Sequence, residues 1–182
     1  MMPASASREL VDLLRGIEQR SRARAAGLPQ QEETRQYWEG VIFSLGDARL
    51  AAPLNEVTEI LHFPSIVTAV PGTRPWVRGV ANIRGNLLPI VDLQLFLGGG
   101  PVMDERRGRI LVIRHGEIFT GLLVKEVTGM RHFQRENRID YSPPEGPMEK
   151  FVHGAFEQDG GTWPVFSMYA LAESPEFQVA AL

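Results

Sequence analysis

The chain has 182 residues, 43% of them hydrophobic, and a formal net charge of −3. A chain of this length can bury enough surface for one domain or for two small fused lobes. The composition argues against three classes of protein. There is no Cys for a disulfide framework, no basic excess for nucleic-acid binding, and no apolar run near the ~18 residues of a transmembrane helix.

Residues 1–36 are predicted to form an N-terminal helical extension. Apolar residues recur there at helical spacing, and the pattern could begin after Ser7 and end at Gly27, before a proline. Two interpretations remain open: the apolar stripe packs on the rest of the chain, or it faces a partner. The stripe is short and has no aromatic residue, which disfavours a membrane-surface role. The segment also lacks the basic and apolar regions of a signal peptide.

From Tyr37 onward, short apolar runs alternate with glycines and charged turns, which predicts a mainly β body. The predicted strands are 41–45, 49–53, 57–61, 77–82, 87–91, 109–114, 118–124, 127–132, 152–156 and 163–166. Their spacing is typical of small barrels or of a sandwich. Asp92 and Ser167 each precede a run that suits a capped helix of one or two turns.

The body contains an internal repeat. Residues 46–63 match residues 116–133 at a constant offset of 70, and residues 76–93 match residues 151–168 at an offset of 75. We therefore expect two similar β lobes, with a connector near residues 98–108 that begins with the sequence GGGP. Whether the first strand of one lobe crosses over to complete the other remains open.

The corner between the two strands of residues 77–91 differs from its repeat counterpart. The first corner reads Asn82-Ile83-Arg84-Gly85-Asn86, whereas residues 157–161 are acidic and glycine-rich. A solvated turn arginine would account for Arg84 on spacing alone. A role in binding would explain why the second half does without this arginine, although turns diverge freely.

The segment WVRGVANIRGNLLPIVDL, residues 76–93, resembles the signature of CheW-type coupling proteins, adaptors that join bacterial chemoreceptors to a histidine kinase. The resemblance covers about residues 38–177 and implies a CheW-like domain over residues 37–178. The fold it implies is two five-stranded SH3-like barrels with short helices, packed over a shared core. The implied function is non-enzymatic. The implied partners are the regulatory domain of a CheA-type kinase and the cytoplasmic tip of a methyl-accepting chemoreceptor.

The resemblance also implies which residues bind partners. Asn82, Arg84 and Gly85 match the family motif at the surface that engages receptor and kinase, and Val57 and Glu59 match a strand that contributes to kinase contact. The repeat leaves both alternatives open for the last two, structure or interface. Val57 keeps its type in the second half, at Val127, whereas Glu59 is replaced by a glycine.

No enzyme motif accompanies this pattern, and we expect no cofactor and no metal. The phosphate-binding loop, the nucleophile elbow and the zinc-protease pattern are all missing from the sequence. The extension resembles that of the family branch that serves type IV pilus chemosensory systems, which implies twitching motility and a cytoplasmic place at receptor arrays, without membrane insertion. A detached kinase-regulatory or CheV-like sensing module, which binds the kinase without bridging it to a receptor, remains an alternative.

Overall fold

The structure is a computed structural model that describes residues 36–181. The predicted N-terminal helix lies outside the described residues. Within them, eleven strands and three α-helices form, so the mainly β prediction is confirmed. The strands are β1 (Tyr37–Leu45), β2 (Ala48–Pro53), β3 (Glu59–His62), β4 (Val77–Ile83), β5 (Asn86–Asp92), β6 (Arg109–His115), β7 (Ile118–Val124), β8 (Glu126–Gln134), β9 (Arg138–Ile139), β10 (Val152–Gln158) and β11 (Gly161–Phe166). The helices are α1 (Leu93–Phe96), α2 (Met168–Glu173) and α3 (Pro175–Ala181).

The strands form two curled sheets, which correspond to the two predicted SH3-like barrels. The second sheet has six strands and not the predicted five, because the two-residue strand β9 pairs with β10 at its edge. In the first barrel the strand order is β3-β6-β7-β5-β4, and in the second it is β8-β1-β2-β11-β10-β9. The repeats are therefore exchanged. The opening hairpin of the first repeat, β1–β2, belongs to the second barrel, and the equivalent hairpin β6–β7 belongs to the first. A parallel strand pair joins each opening hairpin to the rest of its barrel. β7 pairs with β5 in the first barrel, and β2 pairs with β11 in the second.

The exchange corrects the expected position of the connector. Residues 98–108 lead from β5 and α1 to β6, and both strands belong to the first barrel. This segment therefore joins the two repeats and not, as expected, the two barrels. The chain passes between barrels from β2 to β3 and again from β7 to β8, because each opening hairpin is paired with strands of the other repeat.

Three apolar clusters hold the body together. One lies inside each barrel, and the third and largest lies between the barrels. Successive side chains of β1 pack in two different clusters. Val41 and Phe43 point to the shared core, and Ile42 points into the second barrel. Strands buried on both faces read as continuous apolar runs, as in the sequence RILVIR of β6.

Local contacts agree with the repeat. Asp92 caps α1 by accepting a hydrogen bond from the Leu95 amide at 3.0 Å, and Ser167 caps α2 by accepting one from the Ala170 amide at 3.1 Å. Both predicted N-caps are therefore confirmed.

Glu56, three residues before β3, links the two halves of the sequence. Its Oε2 accepts hydrogen bonds from the backbone amides of Met168 at 2.6 Å and Tyr169 at 3.2 Å, at the start of α2. A carboxylate is favourable there, because the first amides of a helix are unpaired and the helix dipole is positive at this end. The entry to β3 is thereby fixed against the helix that packs in the shared core.

Candidate functional site at the first barrel corner

The corner between β4 and β5, which we call the first corner, is a two-residue hairpin turn. Ile83 pairs with Asn86, and the two residues between them, Arg84 and Gly85, have positive φ angles of 52° and 84°. Positive φ at both positions is the hallmark of a type I′ turn, whose twist matches that of the flanking strands. The Asn82 side chain accepts a hydrogen bond from the Gly85 amide at 2.9 Å, so Asn82 and Gly85 shape the turn.

Arginine is an unusual residue for this backbone. The left-handed region disfavours side chains with a Cβ atom, and type I′ turns select Asn, Asp or Gly at the position that Arg84 occupies. The equivalent corner between β10 and β11, the second corner, follows this preference with Asp159 at φ 53° and Gly160 at φ 71°. The turn therefore does not require the guanidinium of Arg84.

Arg84 reaches across the mouth of the first barrel to Glu59, the first residue of β3. The two side chains form a bidentate ion pair, with Nη2 to Oε1 at 2.6 Å and Nη1 to Oε2 at 3.3 Å. The Arg84 side chain is 74% exposed and that of Glu59 is 32% exposed. Exposed pairs contribute only about 0–1 kcal/mol to stability. The pair therefore presents charge to solvent more than it holds the barrel closed.

The structure separates the predicted site residues into two groups. Arg84 and Glu59 meet at one mouth, with Asn82 and Gly85 in the supporting turn. Val57 ends a 3₁₀ turn before β3 and is partly buried against the shared core, where its counterpart Val127 also packs. This packing is what the structural alternative for Val57 expects, and the interface alternative stays a prediction.

A cavity of about 170 Å³ lies beside the Glu59–Arg84 pair. Its mouth also carries Arg114, whose guanidinium lies 4.1 Å from the centroid of the Phe119 ring. Sequence reasoning missed Arg114 and Phe119. A signal was available: at the offset of 70 residues Arg114 stands against Ser44 and Phe119 against Arg49, so both positions differ between the repeats.

The second corner carries a similar contact with reversed charge. There the turn residue is the acid, and Asp159 Oδ2 lies 3.3 Å from Nη1 of Arg131. Arg131 in turn lies 4.5 Å from the centroid of the Trp163 ring. The neighbouring cavity is wider, about 730 Å³, and is lined mainly by polar residues such as Gln134, Asn137 and Gln158. The two corners thus share a backbone but offer different surfaces.

Within residues 36–181, no group of three or more His, Cys, Asp or Glu residues is arranged to hold a metal ion. Among the helices of the same part of the chain, none is both long and apolar enough to cross a membrane.

The sequence of this chain matches a known protein family. Residues 39–176, well over half of the chain, match the family model described as CheW-like domain. The chain belongs to the CheW family. The family resemblance inferred from residues 76–93 is therefore confirmed.

Similarity to individual proteins indicates the branch of the CheW family to which this chain is related. Protein PilI of Pseudomonas aeruginosa is 45% identical over 166 residues, which cover 91% of this chain and 92% of PilI. The chemotaxis protein CheW of Thermotoga maritima is 30% identical over 68% of this chain and 80% of its own length. The PilI alignment is longer than residues 37–182, so it includes part of the extension. It confirms the resemblance to the pilus-associated branch.

A solved structure supports the fold independently. The scaffolding protein TtCheW from Thermoanaerobacter tengcongensis superposes with a TM-score of 0.66, covering 76% of this chain and 94% of TtCheW at 24% identity. At that identity the likeness establishes the fold alone. It agrees with the two barrels described above.

Proposed function

We propose that this protein is a non-enzymatic adaptor that couples chemoreceptors to a CheA-type histidine kinase, in a chemosensory pathway that controls type IV pilus motility. Similarity to PilI along most of both chains supports the pathway, and membership of the CheW family supports the role of a scaffold. The adaptor works in the cytoplasm, at receptor arrays beneath the inner membrane.

One observation supports the first corner as a binding surface. Arg84 occupies a left-handed turn position that disfavours arginine, and its side chain is 74% exposed. Asn, Asp or Gly would fit this turn with less backbone strain. The presence of a strained arginine there therefore points to a function for its side chain. A guanidinium can bind carboxylates and backbone carbonyls with a planar pair of donors, which suits a protein interface. In this proposal the first corner, with Glu59, binds the CheW-like regulatory domain of the kinase.

The receptor tip binds elsewhere, in the groove between the barrels, so that one adaptor can hold both partners. Scaffolding alone does not regulate a kinase. The adaptor changes kinase output only if it binds the active and inactive states with different free energies. Coupling between the two binding sites is reciprocal. If the receptor changes the affinity of the adaptor for the kinase by some factor, the kinase changes the affinity of the adaptor for the receptor by the same factor.

The test is a binding experiment with the full chain, the kinase regulatory domain and a receptor-tip fragment, separately and together. Isothermal titration gives each affinity, and size-exclusion chromatography with light scattering gives the stoichiometry of the mixture. We expect binary complexes with each partner and a ternary complex with both. Binding to the kinase domain without the receptor tip would favour the detached regulatory or CheV-like module. Binding to neither partner would refute the adaptor role.

A further inference from the structure

The cavity beside the first corner combines an apolar floor with a charged mouth. The floor is formed by side chains of four strands of the first barrel and by the ring at the start of β7, namely Leu61, Ile83, Leu88, Val112 and Phe119. We call this cavity, with Glu59, Arg84 and Arg114 at its mouth, the first-barrel socket. Its volume of about 170 Å³ is close to that of an engineered apolar cavity, ~150 Å³, that binds benzene. One branched aliphatic side chain therefore fits.

The mouth of the socket has a net positive charge. Two guanidinium groups, on Arg84 and Arg114, face one carboxylate, on Glu59. The Arg84–Glu59 pair leaves Arg114 held against the Phe119 ring, and no carboxylate of the described residues lies within ion-pair distance of Arg114. Stacking on a ring orients a guanidinium while leaving its N–H donors available. The mouth can therefore accept one additional carboxylate.

We propose that the first-barrel socket receives a protein segment in which an aliphatic side chain lies next to an Asp or Glu, with the aliphatic group in the cavity and the carboxylate on Arg114. This inference rests on the proposed function, since it names the feature of the kinase regulatory domain that the first corner recognises. It adds Arg114 and the cavity floor to the binding surface, beyond the residues of the sequence motif.

The second corner shows that a CheW-type barrel does not need such a socket. There Arg131 is likewise stacked on an aromatic ring, but it is paired with Asp159, and the adjoining cavity is wide and polar. The stacked arginine is thus neutralised in one barrel and available in the other. Arg131 is therefore a matched internal control for Arg114.

The first experiment compares Arg114→Gln with Arg131→Gln in the full chain. Both substitutions remove an exposed or partly exposed guanidinium from an aromatic ring, and circular dichroism checks that both variants fold. We expect Arg114→Gln to weaken binding of the kinase regulatory domain about tenfold and to reduce its salt dependence, because a charged contact is lost. Arg131→Gln should bind within about twofold of wild type, a difference too small to indicate a lost contact.

The second experiment tests whether the cavity floor is occupied on binding and needs no variant of this protein. The wild-type chain, labelled at Leu, Ile and Val methyl groups, is titrated with the unlabelled kinase regulatory domain. We expect the resonances of Leu61, Leu88 and Val112 to shift on saturation, and those of Ile42 and Val165 inside the second barrel to stay in place. A third experiment tests the charged contact with a variant: Arg114→Glu should lose binding, and should regain it when the Asp or Glu of the kinase domain that contacts this position is changed to Lys.

The outcomes separate this inference from the proposed function. Wild-type binding that is unaffected by Arg114→Gln, or that leaves the three methyl groups unshifted, overturns the socket and leaves the adaptor role intact. Equal losses in Arg114→Gln and Arg131→Gln also overturn it, since the effect would then be one of overall charge. If the wild-type chain binds neither kinase domain nor receptor tip, the proposed function fails and the socket loses its proposed occupant.

Discussion

Replacement of Arg84 by Asn should increase the stability of this protein and decrease its binding. Asn is a preferred residue at the first central position of a type I′ turn, so Arg84→Asn relieves the left-handed strain and keeps the hairpin. It also removes the guanidinium that pairs with Glu59 and faces solvent. The substitution therefore separates what the turn requires from what the side chain does.

The magnitudes decide the direction of the stability change. A non-glycine residue in the left-handed region costs on the order of 1–3 kcal/mol, and Asn tolerates the region better than Arg. The exposed ion pair contributes about 0–1 kcal/mol, and salt weakens it further. We expect the free energy of unfolding to rise by about 1 kcal/mol, which raises the Tm of a domain of this size by about 3 °C.

Binding should change in the opposite direction. Loss of a charge at the centre of a polar contact costs on the order of 2 kcal/mol, or about thirtyfold in affinity for the kinase regulatory domain. Differential scanning calorimetry measures the first effect and isothermal titration the second, on the same preparation. Asp159→Asn is the matched control, because it makes the equivalent change at the second corner and should leave kinase affinity unchanged.

Two results would refute this reasoning. A fall in Tm of several degrees would mean that Arg84 contributes more to folding than an exposed pair can, and an unchanged affinity would mean that the first corner does not bind the kinase. The charge-reversed variant Arg84→Glu should fold with nearly wild-type stability, since exposed turn substitutions usually change it by no more than about 0.5 kcal/mol, and should bind at least as poorly as Arg84→Asn.

Three further predictions concern the framework. Gly79→Ala should destabilise the protein by about 1–3 kcal/mol more than Gly129→Ala in urea denaturation. Both glycines have φ near 137°, but only at Gly79 would the new Cβ collide with a backbone atom, the Thr68 carbonyl oxygen. Equal losses would show that φ strain alone matters. Glu56→Ala should lower stability by about 2 kcal/mol through loss of the charged cap of α2, and an unchanged Tm would contradict that role. If residues 1–36 face a partner, their deletion should leave the Tm unchanged while altering localisation or partner choice; a large fall in Tm with unchanged partners would indicate instead that the extension packs on the body.

Much of the local structure follows from the sequence because it depends on neighbouring residues. The ten predicted strands, the hairpin at Arg84–Gly85 and the caps at Asp92 and Ser167 are each specified by alternation, turn residues or a short polar side chain before an apolar run. Duplication of these local signals was enough to recognise two similar barrels and to locate the corner where the repeats differ.

The tertiary structure alone decided which hairpin belongs to which barrel. The opening strands are apolar on both faces, because one face lines a barrel and the other lines the shared core. Their sequence pattern is therefore compatible with either barrel. For the same reason residues 98–108 could not be recognised as a link within one barrel. The contact of Arg84 with Glu59, the stacking of Arg114 on Phe119 and the packing of Val57 depend on barrel closure, which brings distant strands together and leaves no periodic signal in the sequence.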